Sequence, residues 1–80
     1  MDVETARDVV RAAFRSSSEL QKLLGTLKGR CRPDEYRDYA RNIAATIDGI
    51  GTTLINKVLA EHPDLRQEIE TSIAKDGRYA

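Results

Sequence analysis

An unbroken alternation of three- and four-residue steps separates the apolar positions in the first third of the chain. These positions form one stripe along one side of an α-helix. A helix break at residues 16–18, where three serines occur, would reset the phase of the stripe, and the phase is kept. The sequence therefore predicts one helix over residues 3–28 and leaves open a kink at the serines. The stripe comprises Val3, Ala6, Val10, Ala13, Ser17, Leu20, Leu24 and Leu27.

Signals for a turn follow this first stripe. Gly29 comes just after the last apolar position, which is typical of a helix C-cap. Pro33 suits the first turn of a new helix, and Asp34 and Glu35 place negative charge at the positive end of that helix's dipole. The pattern predicts a short loop and a second helix that begins at residue 33.

A second apolar stripe predicts that this helix continues to residue 61. Glycines at positions 49 and 51 leave open whether it breaks there. Pro63 followed by Asp64 repeats the start signal, which predicts a shorter third helix over residues 63–75. No alternating pattern of a β-strand occurs. The second stripe comprises Tyr36, Ala40, Ile43, Ile47, Ile50, Leu54 and Val58.

Two long helices joined by about four residues fold back on each other as antiparallel neighbours. We therefore predict an all-α chain that forms a single domain over residues 1–80, an antiparallel helical hairpin with a shorter C-terminal helix. This is a three-helix unit. The small residues Gly25 and Gly51 are interpreted as points where the two long helices approach closely.

Small domains bury a small fraction of their unfolded surface, about 60% for a domain of about 60 residues. A chain of 80 residues is little larger and therefore needs additional stabilisation. One cysteine and one histidine provide neither an internal disulfide nor a zinc site. The second helix also carries more apolar surface than one neighbouring helix covers. We predict a homodimeric helical bundle, or packing with an unidentified protein partner, through Ile43, Ile47, Ile50, Gly51, Leu54, Ile55 and Leu59.

The balance of charge argues against general binding to polyanions. The 13 basic and 13 acidic residues cancel, so the chain has no overall attraction for nucleic acid or for an anionic membrane. No apolar run is long enough to span a bilayer, and the first residues lack the basic and apolar regions of a secretory signal. We expect a cytoplasmic protein that binds no membrane.

One concentrated positive segment lies in the first loop, at Lys28, Arg30 and Arg32. It makes nucleic-acid binding an alternative function. The helix that follows begins with acidic residues, whereas a recognition helix presents its first residues to phosphates and bases. Nucleic acid is therefore the less favoured partner.

The only cysteine, Cys31, lies within the same loop. Neighbouring positive charge favours the reactive thiolate, which makes a thiol redox protein the second alternative. A nucleophilic thiol also needs a base, and the only histidine, His62, follows the far end of the second helix. The sequence predicts an ordinary loop cysteine.

No other motif indicates catalysis, a cofactor or a metal. Arg7, Arg11 and Arg15 form a basic ridge on the first helix, with acids at Glu4 and Asp8 three residues before the first two. We interpret the ridge as a solvated face with ion pairs within the helix. The sequence predicts a small non-enzymatic interaction or regulatory protein that needs no cofactor.

Overall fold

The computed structural model describes residues 1–79. This part of the chain is all-α, with an antiparallel helical hairpin, a shorter third helix and no strand, which confirms the predicted fold class. The second helix is continuous over residues 33–61 but changes type along its length. The elements are α1 (Val3–Lys28), α2 (Pro33–Gly49), a π-helical segment (Ile50–Ile55), α3 (Asn56–Glu61) and α4 (Leu65–Asp76).

Helix α1 runs without a break through the three serines. Its start is capped by Asp2, whose carboxylate accepts a hydrogen bond from the Thr5 backbone N–H at 2.7 Å. Within the serine segment, the Ser17 hydroxyl donates to the Ala13 carbonyl at 3.0 Å. The hydroxyl is thus satisfied by the preceding turn of the same helix.

The second helix widens where the two glycines occur. The backbone N–H of Asn56 donates to the Gly51 carbonyl, which is the five-residue spacing of a π-helix. The Thr52 hydroxyl donates to the Asp48 carbonyl at 2.9 Å, and the Thr53 hydroxyl donates to the Gly49 carbonyl. These two hydroxyls satisfy backbone carbonyls where α2 meets the π-helical segment. The helix changes type at the glycines but is not interrupted there.

The buried core lies at the open end of the hairpin, where α4 packs as a third helix. We call residues 1–14 and 56–79 the base, and residues 15–55, which contain the hairpin loop, the arm. Ile43 is the one buried side chain of the arm, whereas the base contains a continuous apolar cluster. That cluster consists of Ala6, Val10, Val58, Leu65, Ile69 and Tyr79.

The molecule is elongated, with extents of 45 × 25 × 16 Å and a radius of gyration of 14.8 Å. A compact chain of this length has a radius of gyration of about 12 Å. The accessible surface is 5836 Å². A compact protein of 9.0 kDa exposes about 4,850 Å², so this chain exposes about 1,000 Å² more than a compact monomer.

The interpretation of Gly25 and Gly51 as close-approach points is wrong. A Cβ atom built on either glycine would meet nothing within 4 Å apart from the local helix. Val10, which lies at the level of Gly51 when the two long helices are paired about the loop, packs in the cluster of the base with Val58. The glycines therefore lie beside open space.

Candidate interaction surfaces

The residues predicted to form one interface occupy three different environments. Ile43 is buried within the arm, and Leu59 is half-buried against the core of the base. Ile50 is half-buried, and Leu54 is 45% exposed. The remaining three, Ile47, Gly51 and Ile55, line a groove.

This groove has a volume of about 740 Å³ and lies where α4 ends against the hairpin. Side chains of α1, of the second helix and of residues 73–79 form its walls. Its large apolar side chains are Phe14, Ile47, Ile55, Ile73 and Tyr79.

The rim of the groove carries three basic side chains and one acidic side chain. The acid, Glu19, has its carboxylate 3.5 Å from the Lys22 ammonium. Within residues 1–79, Arg15 and Arg78 have no carboxylate within 4.0 Å. The rim therefore has a local positive charge, although the whole chain has a net charge of zero.

Helical periodicity predicts a second apolar surface that is separate from the groove. On α1, Leu23 is rotated by about 200° from the groove residue Gln21 and by about 100° from the groove residue Lys22, and it does not line the groove. On the second helix, α-helical spacing places Tyr39 and Ile50 on one side of Ile43 and Gly51 on the other side. We call this surface the back face and define it as Leu20, Leu23, Leu27, Tyr39, Ile50 and Leu54.

The back face contains several of the most exposed large apolar side chains of the described residues. Leu23 is 42% exposed, Tyr39 is 53% exposed and Leu54 is 45% exposed. None of the six residues of the back face lines the groove. The arm thus has apolar side chains in the groove and exposed apolar side chains outside it, where the sequence indicated a single interface.

A polar cluster in the base, which we call the clasp, joins α4 and the residues after it to α1. The Arg7 Nε–H donates to both carboxylate oxygens of Glu68, at 3.2 and 3.1 Å. The Tyr79 hydroxyl donates to Glu68 Oε2 at 2.7 Å. The Tyr79 ring also packs edge-on against Phe14, with 6.3 Å between centroids, and lies 5.5 Å from the Arg11 guanidinium carbon.

Hydrogen bonding shifts the pKa of Glu68, and burial together with hydrogen bonding shifts the pKa of Tyr79. The hydrogen bonds from Arg7, and then that from Tyr79, hold the pKa of Glu68 below its ordinary value. Burial raises the pKa of Tyr79, and its bond to the Glu68 carboxylate raises it further. Both shifts favour the charge states seen in the clasp, an ionised carboxylate and a neutral phenol.

The clasp was missed by the sequence interpretation of the basic ridge. Arg7 and Arg11 do form ion pairs with Glu4 and Asp8. Arg7 also reaches Glu68 in α4, so the ridge is not merely a solvated face. The available signal was the position of Glu68, which lies three residues after the buried Leu65 and therefore on the same side of α4.

The basic loop is partly neutralised by its own neighbours. The Arg32 Nε lies 3.7 Å from the Asp34 carboxylate and 3.5 Å from that of Glu35. Lys28 and Arg30 are exposed, and no carboxylate among the described residues lies within ion-pair distance of either.

Cys31 and His62 are not brought together. Cys31 is a half-buried free thiol at the tip of the arm. His62 lies at the opposite end of the molecule, where its Nε2 is 3.1 Å from the Met1 carbonyl oxygen. The two residues therefore form no thiol–imidazole pair within the chain.

Across residues 1–79, no three side chains of His, Cys, Asp or Glu are grouped so that they could hold a metal ion. No helix in that part combines the length and apolar character that crossing a membrane requires. Comparison of the chain with protein-family models, curated proteins and solved structures finds no match.

Proposed function

We propose that this protein is a non-enzymatic helical interaction protein that acts as a homodimer through the back face. The observation that carries the proposal is the additional exposed surface of about 1,000 Å². A specific protein interface of standard size buries about 800 Å² on each partner. The additional surface is therefore sufficient for one such interface.

The location of the core supports the arm as the contact region. With Ile43 as its one buried side chain, the arm has little apolar packing of its own beyond the contact of its two helices. Two antiparallel hairpins that pack together form a four-helix bundle, which gives each arm a shared core. A two-fold symmetric homodimer is the commonest such assembly.

The experiment is sedimentation equilibrium at micromolar concentration, together with thermal melting at several protein concentrations. We expect a dimer whose melting temperature rises with concentration. Leu23→Asp and Leu54→Asp place an unpaired charge in the interface twice, once from each protomer, and should raise the dissociation constant by at least about 100-fold.

Thr26→Asp is the matched control, because Thr26 is an exposed α1 residue outside both apolar surfaces. It should leave the dimer unchanged. A well-folded wild-type monomer at micromolar concentration, with a melting temperature independent of concentration, would contradict the proposal.

The two alternative functions have less support. Nucleic-acid binding would depend on Lys28 and Arg30, because Arg32 is already paired with two carboxylates. Thiol chemistry at Cys31 would have to proceed without His62 as its base. Binding of mixed-sequence DNA or RNA that weakens steeply with salt would favour the first alternative over our proposal.

A further inference from the structure

We propose that the groove binds an acidic amphipathic helix of another protein. This inference goes beyond homodimerisation, because the groove and the back face share no residue. Each protomer of the proposed dimer would keep its groove available for this second partner.

The floor of the groove suits apolar side chains of a helix. Its five large apolar residues come from three parts of the chain, and one of them, Ile73, is 41% exposed. At Gly51 a Cβ would meet nothing within 4 Å, so the wall leaves open space for a partner's side chains. Exposed apolar side chains that converge on a concave surface are typical of a binding groove.

The dimensions favour a short helical segment. The α1 wall extends from Phe14 to Lys22, which is about 12 Å at 1.5 Å per residue. This length matches about two turns of a partner helix. Such a helix presents apolar residues at positions i, i+3, i+4 and i+7 along one side.

The charge of the rim favours acidic residues on the flanks of the partner helix. Arg15 and Arg78 are exposed and have no carboxylate within 4.0 Å among residues 1–79. Lys22 adds a third positive charge, which Glu19 partly neutralises. Complementary charge around an apolar contact steers association and fixes orientation.

The chain's own helices are less suitable occupants. Helix α4 already places Leu65 and Ile69 in the core of the base. The acids that begin α2, Asp34 and Glu35, are paired with Arg32. A partner with free acidic residues beside a free apolar side fits the groove better than a second copy does.

The test uses a 16-residue helical peptide with leucines at positions i, i+3, i+4 and i+7 and glutamates on the flanks of that stripe. A peptide with lysine in place of every glutamate is the matched control. We expect the glutamate peptide to bind the full-length protein at least 10-fold more tightly than the lysine peptide in calorimetric titration, with an affinity that falls as salt increases. This estimate of about 10-fold corresponds to the loss of a few rim ion pairs.

Variants of the protein locate the binding site. The double variant Arg15→Glu and Arg78→Glu should reverse the preference between the two peptides, and Ile73→Ser should weaken binding of the glutamate peptide. Arg30→Glu changes an exposed arginine outside the groove and should leave binding unchanged.

Leu23→Asp separates this inference from the proposed function. A folded monomeric Leu23→Asp variant should bind the glutamate peptide as the wild type does, because Leu23 is outside the groove. A failure of dimerisation with peptide binding intact contradicts the homodimer alone.

Three outcomes would overturn the inference: no binding of the glutamate peptide to folded protein, equal binding of both peptides, or binding that the Arg15 and Arg78 changes leave unaltered. Vesicles of phosphatidylglycerol serve as a second probe. If the two arginines are required for vesicle binding while the peptide does not bind, the groove recognises an anionic lipid surface and the inference is wrong.

Discussion

At the residue scale, the clasp connects the core of the base to a wall of the groove. Glu68 accepts hydrogen bonds from Arg7 in α1 and from Tyr79 after α4. The Tyr79 ring belongs to the buried cluster and also lines the groove. A change in the clasp should therefore alter both the stability of the base and the position of one groove wall.

We expect Glu68→Gln to lower the free energy of unfolding by about 0.5–1 kcal/mol. The neutral amide loses the charged pairing with Arg7, and the Glu68 side chain is 40% exposed, so solvent screens much of that interaction. Urea denaturation measures the difference. Glu70→Gln is the control in the same helix, because Glu70 is exposed and makes no ion pair among the described residues.

The clasp also predicts a pH dependence of stability. The pKa of Glu68 is lowered from its ordinary value of 4.5, so its contribution is present above about pH 4.5 and is lost as the pH falls through the folded pKa. The pKa of Tyr79 is raised from its ordinary value of 10.0, so its contribution is present below about pH 10 and is lost as the pH rises through the folded pKa.

Denaturation of the wild type and of Glu68→Gln across this range tests the assignment. The wild type should lose stability more steeply than the variant below about pH 4.5, since the variant lacks the acid that titrates there. Parallel acid profiles for the two proteins would show that Glu68 does not supply this part of the pH dependence.

At the element scale, the periodicity of apolar residues predicted where the helices lie along the chain. The stripe that keeps its phase through Ser17 predicted a helix over residues 3–28, and α1 spans Val3–Lys28. The third helix begins at Leu65, two residues later than predicted, because the N–H groups of Leu65 and Arg66 donate to the carbonyls of His62 and Pro63 in a turn. These backbone hydrogen bonds do not depend on the spacing of apolar side chains, so the sequence pattern does not reveal the turn.

Features that depend on contacts between elements were not predictable in the same way. The π-helical segment changes the rotation per residue, so regular α-helical spacing could not assign Leu54 and Ile55, which lie at the end of that segment, to their surfaces. The clasp joins residues 61 positions apart, Arg7 and Glu68, which requires knowledge of where α4 packs. For these reasons the candidate interface was predicted as a set of residues but not as two surfaces.

The open surroundings of Gly25 give a prediction for α1. We expect Gly25→Ala to raise the free energy of unfolding by about 0.5–1 kcal/mol, because alanine loses less backbone entropy in a helix and its Cβ meets nothing within 4 Å. Urea denaturation measures the change, and circular dichroism checks that the helix content is kept. A loss of stability would show that a neighbouring chain or helix approaches this position.

At the scale of the whole molecule, the groove and the back face share no residue of the elongated hairpin. A dimer formed through the back face would carry two grooves, one on each protomer. Two linked sites bind a partner that has two matching helices more tightly than one site does, provided that the spacing fits. The proposed dimerisation and the proposed groove binding therefore reinforce each other without sharing residues.

The charge of the loop predicts how the two arms are arranged in the dimer. Lys28 and Arg30 lie at the tip of each arm without a carboxylate within 4.0 Å among the described residues, so parallel arms would bring two positive tips together. We expect antiparallel arms. The part of α1 in the arm, residues 15–28, is about 20 Å long, so antiparallel overlap separates the two tips by at least about that distance.

Cys31, as the only cysteine, is a natural probe of this arrangement. A spin label on Cys31 should report a distance above about 20 Å between the protomers. Mild oxidation should produce no covalent dimer, because a disulfide needs Cα atoms within about 7 Å.

The Leu23→Asp monomer is the control that should give no distance between labels. Cys31→Ser should dimerise as the wild type does, since a half-buried thiol in a loop contributes little packing. A short distance between labels, or rapid formation of a Cys31 disulfide within an otherwise intact dimer, would show that the arms are parallel and that the charge at the tips does not determine their orientation.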